Sequence, residues 1–498
     1  MSDIPLVGDP APSPQDFDDA SEILRTGGLE RVFIREPPHR MTFHVALSAG
    51  GEVDRSALRK AWLQTVARHP RLWAKLDDDH RRFQTDLGDV ERQNRMAACW
   101  HPEDREATGD EPAALRPKLG PPVRLRLRFV DGRSVMHFSF HHAVCDGIGA
   151  SRLIYETLRT FSGQLTHRTK RLSGERPAMA QGSDASASRQ TTDTKPVSIK
   201  TKWKHFRVTT RGHNARLPDH FPPSVRADPS DRHPIRGNRS DDESHHRTFL
   251  GHPVVCFSRM ETDLVIAGCR HGAMPLNDLA VASSIAAIST MIRNAPNRHI
   301  CVMNPVDRRQ WRHRREIRNH LGLAFIRREL HRCDDHAALL GGVHDQLDYV
   351  RKNDVSGEFE ATLSAFERVP MAVPMLRRTG WFAPTFSLTC LSNLQFGARS
   401  GTINRAADDD RDDADWIGSI LQHPLYALDV VPPIPPQCST ALAIWRCGHR
   451  IAMSVRTTET ESKQFWPREL LRRWSESLKN YAGGRLANIS ERPSRPEK

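Results

Sequence analysis

The sequence predicts an α/β protein of the α+β type, in which two lobes each combine β-strands with helices. The chain has 498 residues, more than one ordinary hydrophobic core holds. Segments with the period of a strand and segments with the period of a helix occur in both halves of the chain. Between them, residues 166–248 are polar and aperiodic, and we expect a largely disordered linker or insertion there.

The first predicted lobe, residues 1–165, starts with a strand and a helix. From Met41 to Ser48, apolar and more polar side chains alternate, which predicts a half-buried strand. Asp54 is placed to cap a helix whose apolar residues recur at helical spacing. This helix should end before Pro70, because a residue that precedes proline is disfavoured in the α conformation.

A hairpin and a second helix complete this lobe. Val123–Val130 alternates apolar residues with arginines, and Asp131-Gly132 is a strong signal for a hairpin turn. Ser134–His142 is predicted as the returning strand. Asp146-Gly147 then breaks the strand, and Ile148–Phe161 has helical spacing.

Residues 249–485 are predicted to form the second lobe, and residues 486–498 a frayed tail. Apolar patterns in this lobe predict a buried helix, several strands and a last helix that begins near Pro467. The predicted segments before that last helix are Leu276–Met291 (helix), Ile300–Asn304, Thr385–Leu394, Leu442–Arg446 and Ile451–Val455 (strands).

Composition limits the function classes. The nine cysteines are scattered singly, without zinc-site spacing, so no metal is expected. Lys and Arg exceed Asp and Glu by 73 to 60, a net charge of +13, which attracts anionic partners. No nucleic-acid-binding module is recognisable, so nucleic acid is not an expected partner. Neither a membrane-spanning run nor a signal peptide is evident, and a cytoplasmic location is expected.

Two adjacent histidines, His141 and His142, end the returning strand. Successive side chains of a regular strand point to opposite faces, so the two imidazoles cannot both enter one pocket, and this disfavours a metal ion held by both. His142 lies on the face of Phe138 and Phe140. An imidazole can act as a general base near neutral pH, but a histidine at a strand end is often structural. Spacing alone leaves both interpretations open.

The segment His141–Gly147 has the sequence HHAVCDG, which resembles in full the HHxxxDG motif of a large acyltransferase superfamily. This superfamily includes condensation domains of nonribosomal peptide synthesis, wax ester synthases, plant BAHD transferases and polyketide-associated acyltransferases. Other segments are similar to family regions in the same order. They are Val66–Leu72 (RHP-x-L), Pro275–Ala280, Asn304–Arg309, Asn319–Gly322 and Ser392–Leu394, which resembles the strand that crosses between lobes.

The resemblance implies a chloramphenicol-acetyltransferase-like fold: two lobes, each a mixed β-sheet with helices, and an active-site tunnel between them. It implies that His142 is the general base and that His141 is structural. It also implies that Asp146 holds the loop through Arg309 rather than carrying a proton. Gly147 is expected to form a tight turn and to offer its N–H near the developing oxyanion.

Further residues are candidates for substrate contact. Ser392 and Asn393 are expected at the tunnel. Cys145, inside the motif, is a weaker candidate as a nucleophile. A basic run either forms a solvated loop or binds the phosphates of a thioester donor, because guanidinium groups suit phosphate. The candidate phosphate contacts are Arg312, Arg314 and Arg315.

The implied activity is transfer of an acyl group from a thioester to an alcohol or amine. No tightly bound cofactor is implied, because acyl-CoA or a phosphopantetheine thioester serves as co-substrate. The implied partners are a small-molecule acceptor and an acyl or peptidyl carrier protein, and two lobes in one chain favour a monomer. Two alternatives stay open: a condensation enzyme with carrier-bound substrates, and a catalytically silent scaffold. The plant DFGWG motif is absent and the linker is long, which leaves the substrate class open.

Overall fold

The computed structural model of the chain describes residues 24–102, 114–173, 245–292, 299–309, 316–366, 383–391, 420–447, 450–458 and 466–490, with single positions at 371, 375 and 417. In this part of the chain, no helix combines the length and apolar character needed to cross a bilayer. All nine cysteines lie within it as free thiols.

Ten α-helices are present in the described residues. They are α1 (Gly28–Arg35), α2 (Pro38–Met41), α3 (Arg55–Arg68), α4 (Asp89–Ala97), α5 (Gly147–Ser173), α6 (Arg259–His271), α7 (Leu276–Met291), α8 (His336–Lys352), α9 (Glu358–Phe366) and α10 (Trp466–Ser490).

Fourteen strands accompany these helices in the described ranges. They are β1 (Thr42–Gly50), β2 (Lys75–Leu76), β3 (Phe83–Gln84), β4 (Trp100–Pro102), β5 (Val123–Val130), β6 (Arg133–His141), β7 (His245–Phe249), β8 (His252–Cys256), β9 (His299–Asp307), β10 (Leu321–Glu329), β11 (Phe386–Leu391), β12 (Leu425–Val431), β13 (Thr440–Cys447) and β14 (Arg450–Thr457).

The first lobe is built on a five-stranded mixed sheet with the order β12-β1-β6-β5-β4. β4 and β5 are parallel, and the other neighbours are antiparallel. Asp131 and Gly132 both have positive φ, which is the geometry of the predicted two-residue hairpin turn. Helices α3 and α5 bury their apolar residues against one face of this sheet. The side chain of Asp54 accepts a hydrogen bond from the N–H of Ala57 at 2.9 Å and caps α3 as predicted.

The second lobe is built on a seven-stranded mixed sheet with the order β10-β9-β11-β13-β14-β8-β7. β11 is parallel to both of its neighbours. Helix α7 packs on this sheet beside α10, whose Leu471, Trp474, Leu478 and Tyr481 are buried in the same core. Two lobes, each with a mixed sheet and helices, are therefore present, and this confirms the predicted fold class.

One strand from the second half of the chain completes the first lobe's sheet. β12 pairs antiparallel with β1, with Val430 opposite Val45. β12 is thus a strand that crosses between the lobes, and the predicted crossing strand, Ser392–Leu394, lies outside the described residues. Asp429 in β12 is buried and bonded to Arg247 of β7. This buried charge interrupts the apolar pattern by which such a strand is recognised.

Three elements extend past the predicted domain boundaries. α5 continues beyond 165 to Ser173, β7 begins at His245 within the predicted linker, and α10 runs to Ser490 in the predicted tail. The end of α5 has no apolar period, so the sequence pattern does not indicate a helix there. The rest of the predicted linker, 174–244, lies outside the described residues.

A group of buried histidines lies where the two lobes meet. The rings of His44 on β1 and His137 on β6 are 5.0 Å apart, and His137 contacts Phe249 of β7. Burial and nearby arginines lower the pKa of His137 to about 3. Burial and the charge of Arg456 lower the pKa of His252 to about 3. Burial also lowers the pKa of His44 well below its usual value, so all three are neutral at pH 7.

We expect the folded chain to lose stability as the pH falls below about 6.5. In this range the unfolded histidines bind protons, whereas folded His137 and His252 stay neutral until about pH 3. The unfolded state therefore gains stability on acidification, by about 2 kcal/mol for each such histidine at pH 5. Urea unfolding near pH 7.5 and pH 5 measures the loss. The His137→Gln chain should lose less between the two pH values; an equal loss would contradict this assignment.

Candidate active site

The loop that carries the rest of the HHxxxDG motif, residues 142–146, starts where β6 ends; we call it the motif loop. Strand β6 ends at His141, one residue earlier than predicted, and the N–H of His142 donates to the carbonyl oxygen of Met41 at 2.8 Å. The His142 imidazole stacks on Phe33 with 4.6 Å between ring centroids and meets Phe43 edge-on at 5.5 Å. These two aromatic rings hold the imidazole in place.

A hydrogen bond defines the tautomer of His142. Its Nδ1 lies 3.1 Å from the carbonyl oxygen of Cys145. A carbonyl oxygen only accepts, so Nδ1 carries the proton and Nε2 carries the lone pair. Burial lowers the pKa of His142, and the charge of Asp146 only partly opposes this shift. The resting form at pH 7 is therefore the neutral imidazole, the form that a general base requires.

His142 lines a cavity between the two lobes. The walls are formed by α1 and His142 from the first lobe and by β9, β10, β11, α9 and residues 433–437 from the second half of the chain. The polar side chains in the described lining are His142, Ser387, Thr389 and Gln437, and the remaining ones are apolar. The His142 imidazole thus borders a largely apolar space.

His141 occupies a different environment. Its Nδ1 accepts a hydrogen bond from the N–H of Ala143 at 3.2 Å, and its side chain is buried away from the residues that line the cavity. Burial, with a smaller effect from neighbouring His142, lowers the pKa of His141 to about 3. The structure thus separates the two histidines into one that faces the cavity and one that packs inside the lobe.

Asp146 is fully buried and accepts three hydrogen bonds. Its Oδ1 accepts from the backbone N–H of Gly149 at 2.8 Å and from Nη2 of Arg309 at 2.8 Å. Its Oδ2 accepts from the backbone N–H of His320 at 3.1 Å. Arg309 and His320 belong to the second lobe, so the Asp146 carboxylate fastens the motif loop to that lobe. The structure contains the Asp146–Arg309 pair that the resemblance implied.

Arg309 is held on the other side by the second lobe itself. It donates to the carboxylate of Asp307 at 3.1 Å and to the carbonyl oxygen of Arg318 at 2.9 Å. Burial alone lowers the pKa of Arg309, but the charge of Asp146 outweighs it and the pKa is raised. The guanidinium is therefore a permanent cation, and its buried charge depends on these carboxylates.

Two glycines allow α5 to start against the second lobe. A Cβ atom on Gly147 would lie 2.8 Å from a methyl group of Leu391, and one on Gly149 would lie 2.0 Å from the carbonyl oxygen of Ile317. Neither glycine has a positive φ. Gly147 therefore lies close to the second lobe without the positive φ that would demand glycine in a tight turn, and it is not among the residues that line the cavity.

A second buried ion pair supports the loop from the first lobe. Arg71 donates to Oε2 of Glu30 at 2.6 Å and to the carbonyl oxygen of Ala143 at 3.2 Å. From the second lobe, Nδ2 of Asn319 donates to the carbonyl oxygen of His142 at 2.6 Å. Arg71 and Asn319 were indicated only as members of similar segments. Glu30 could not be identified from the sequence, because only the fold brings Arg71 next to it.

The other candidates contribute no described cavity contact. Cys145 is buried, and burial raises the pKa of its thiol well above the usual range, which disfavours the nucleophilic thiolate. Arg308, beside the basic run, pairs with Asp354 at 3.2 Å. The remaining candidates lie outside the described residues: Arg312, Arg314, Arg315, Ser392 and Asn393.

No protein-family model matches this sequence, and no curated protein matches it. Solved structures do match along nearly the whole chain. Trichothecene 15-O-acetyltransferase from Fusarium sporotrichioides has 10% identity and a TM-score of 0.58, covering 92% of this chain and 94% of its own. The first condensation domain of the CDA synthetase has 13% identity and a TM-score of 0.57, covering 94% and 97%.

A third similar structure is polyketide synthase associated protein 5 from Mycobacterium tuberculosis. It has 16% identity and a TM-score of 0.52, and the match covers 93% of this chain and 98% of the other. At such identities the likeness concerns the fold. The chain therefore has the two-lobed fold of these acetyltransferase and condensation structures.

We expect Gly149→Ala to destabilise the chain, because the new methyl group would collide with the backbone carbonyl of Ile317. The matched control is Gly163→Ala in the same helix, where a Cβ atom meets nothing within 4 Å. The control should be neutral or more stable by up to about 1 kcal/mol, because alanine favours the helix. Thermal unfolding of both variants measures the difference, and equal shifts would show that the lobes yield at this contact.

We expect Asp146→Asn to lower the free energy of unfolding by about 3–5 kcal/mol, because it leaves the Arg309 charge buried without this partner. The double variant Asp146→Asn/Arg309→Met should lose less than the sum of the two single variants. Urea unfolding of the four chains measures this coupling. Strictly additive losses would mean that the pair does not fasten the loop.

Proposed function

We propose that this protein is an acyltransferase that moves an acyl group from a thioester to an alcohol or amine, with His142 as general base. One observation carries the proposal: Nδ1 of His142 is bonded to a carbonyl oxygen, which leaves the lone pair on Nε2, and the ring lines a cavity between two lobes. A general base must be unprotonated and must reach the proton that it removes. The fold shared with acetyltransferase and condensation structures supports the same activity.

The reaction proceeds through a tetrahedral intermediate. The acceptor hydroxyl or amine gives its proton to Nε2 of His142 as its oxygen or nitrogen attacks the thioester carbonyl, whose π electrons move onto the oxygen. Collapse of the intermediate re-forms the carbonyl group and breaks the C–S bond. The imidazolium returns the proton to the departing sulfur. The products are an ester or amide and a free thiol, and His142 is neutral again.

The negative oxygen of the intermediate requires hydrogen-bond donors in this apolar cavity. Ser387 and Thr389 lie on β11 and line the same cavity as His142, and their hydroxyl groups can supply these donors. This assignment replaces Gly147, which does not line the cavity. Asp146 takes no proton, because its oxygens are engaged in holding the loop to the second lobe.

The donor is a co-substrate that is bound and released in each turnover. Coenzyme A and the phosphopantetheine arm of an acyl or peptidyl carrier protein present the same thioester. The net charge of +13 favours encounter with either an anionic CoA ester or an acidic carrier. An amine acceptor must be unprotonated to attack.

Thiol release from acyl-CoA, in the presence of a panel of alcohols and amines, tests the proposal. His142→Ala should lower kcat by about 100-fold or more, because proton removal is lost. Cys145→Ala, in the same loop, should keep its activity, because the buried thiol takes no part in the reaction. Since burial lowers the pKa of His142, the parent chain should stay active below pH 6.5. A folded His142→Ala chain with unchanged activity, or no His142-dependent thiol release from any thioester, would refute the proposal.

A further inference from the structure

We infer that the cavity beside His142 takes an uncharged, apolar chain, supplied either by the acyl group of the donor or by the hydrocarbon part of the acceptor. This inference rests on the proposed function and adds the substrate class. It follows from the composition of the cavity's floor, its cover and the charges around it.

The floor of the cavity is one face of the second lobe's sheet. Met303 stands opposite Phe325 and Pro305 opposite Leu323 in the antiparallel pair β9–β10, and opposed residues share a face. The next strand places Ser387 beside Met303. The other face of these strands packs in the core with α7 and α10. The cavity face of these strands packs in a second apolar cluster with α1 and α9, and the cavity lies within that cluster.

The cover consists of α1 and α9. Gly28 allows these helices to approach closely, because a Cβ atom there would lie 2.6 Å from Oγ of Ser364. Val32 and Phe33 of α1 and Leu363 of α9 turn towards the cavity. The Phe359 ring meets the Phe325 ring of the floor with 5.2 Å between centroids. Aromatic and aliphatic groups thus enclose the space from two sides.

The charges near the cavity are directed elsewhere. Glu30, on the same helix as Val32 and Phe33, bonds to Arg71 away from the cavity. Among the described residues that line the cavity, none is an acid, lysine or arginine. A charged group on a ligand would lose its hydration here without gaining a counter-charge, which is costly. A methylene group would gain about 0.8 kcal/mol, which corresponds to about fourfold in binding.

Two substrate series distinguish the sources of the chain. In the first, acyl-CoAs of increasing length are compared with ω-carboxyacyl-CoAs of the same length. In the second, 1-alkanols are compared with ω-hydroxycarboxylates of the same length. In one of the two series, kcat/KM should rise about fourfold per methylene up to a limit. In that same series, a terminal carboxylate should lower kcat/KM by about 100-fold or more.

A cavity-filling variant locates the effect. Leu363→Phe should shorten the preferred chain in the responding series, whereas the matched control Val90→Phe, at a position that is 73% exposed on α4, should leave it unchanged. Calorimetric binding of S-alkyl-CoA thioethers to the parent chain, and of the alkanols themselves, gives a readout that needs no turnover.

The outcomes separate this inference from the proposed function. His142-dependent turnover without any dependence on chain length or terminal charge in either series would overturn the apolar cavity and leave acyl transfer standing. Chain-length-dependent binding of the thioethers or alkanols without His142-dependent turnover would overturn acyl transfer and leave the apolar cavity standing. A preferred length that stays the same in Leu363→Phe would also overturn the inference.

Discussion

The buried carboxylate of Asp146 joins the two lobes at the base of the motif loop. On one side it fixes the first turn of α5, and on the other it binds Arg309 and the backbone at His320. The residue before His320 is Asn319, whose amide holds the carbonyl oxygen of His142. The position of the imidazole thus follows from how the lobes are joined, and the cavity exists because they are joined at this distance.

Buried arginines also connect separate segments of the chain elsewhere in the structure. Arg95 of α4 donates to four backbone carbonyl groups in two segments of the first lobe, residues 73–74 and 117–120. Arg456 of β14 donates to the carbonyl oxygens of Thr42 at the start of β1, Pro432 just after β12 and His39 in α2. These guanidinium groups donate hydrogen bonds to backbone carbonyl groups outside regular strands and helices. Part of the basic excess of the sequence therefore lies in the interior, where it stabilises the fold.

Local features of this structure could be predicted from residue patterns, whereas the long-range Asp146–Arg309 pair was predicted only through the resemblance. Helix α7 was predicted with its observed ends, since its apolar run is bounded by Pro275 on one side. The separation of His141 from His142 followed from strand alternation. Strand β12 escaped prediction because its buried Asp429 is neutralised by a residue far away in sequence. Glu30 escaped for the same reason, and so did the apolar character of the cavity, which depends on strands and helices from both halves.

The contribution of β12 to the first lobe's sheet has a consequence for folding during synthesis. During synthesis from the N-terminus, β1 emerges well before β12, the strand that completes its outer edge. Until then the first lobe presents an unpaired strand edge, the kind of surface that invites pairing with another chain. The first lobe's sheet can therefore be completed only after β12 has been synthesised. A chain that ends at the linker would lack this strand of the first lobe.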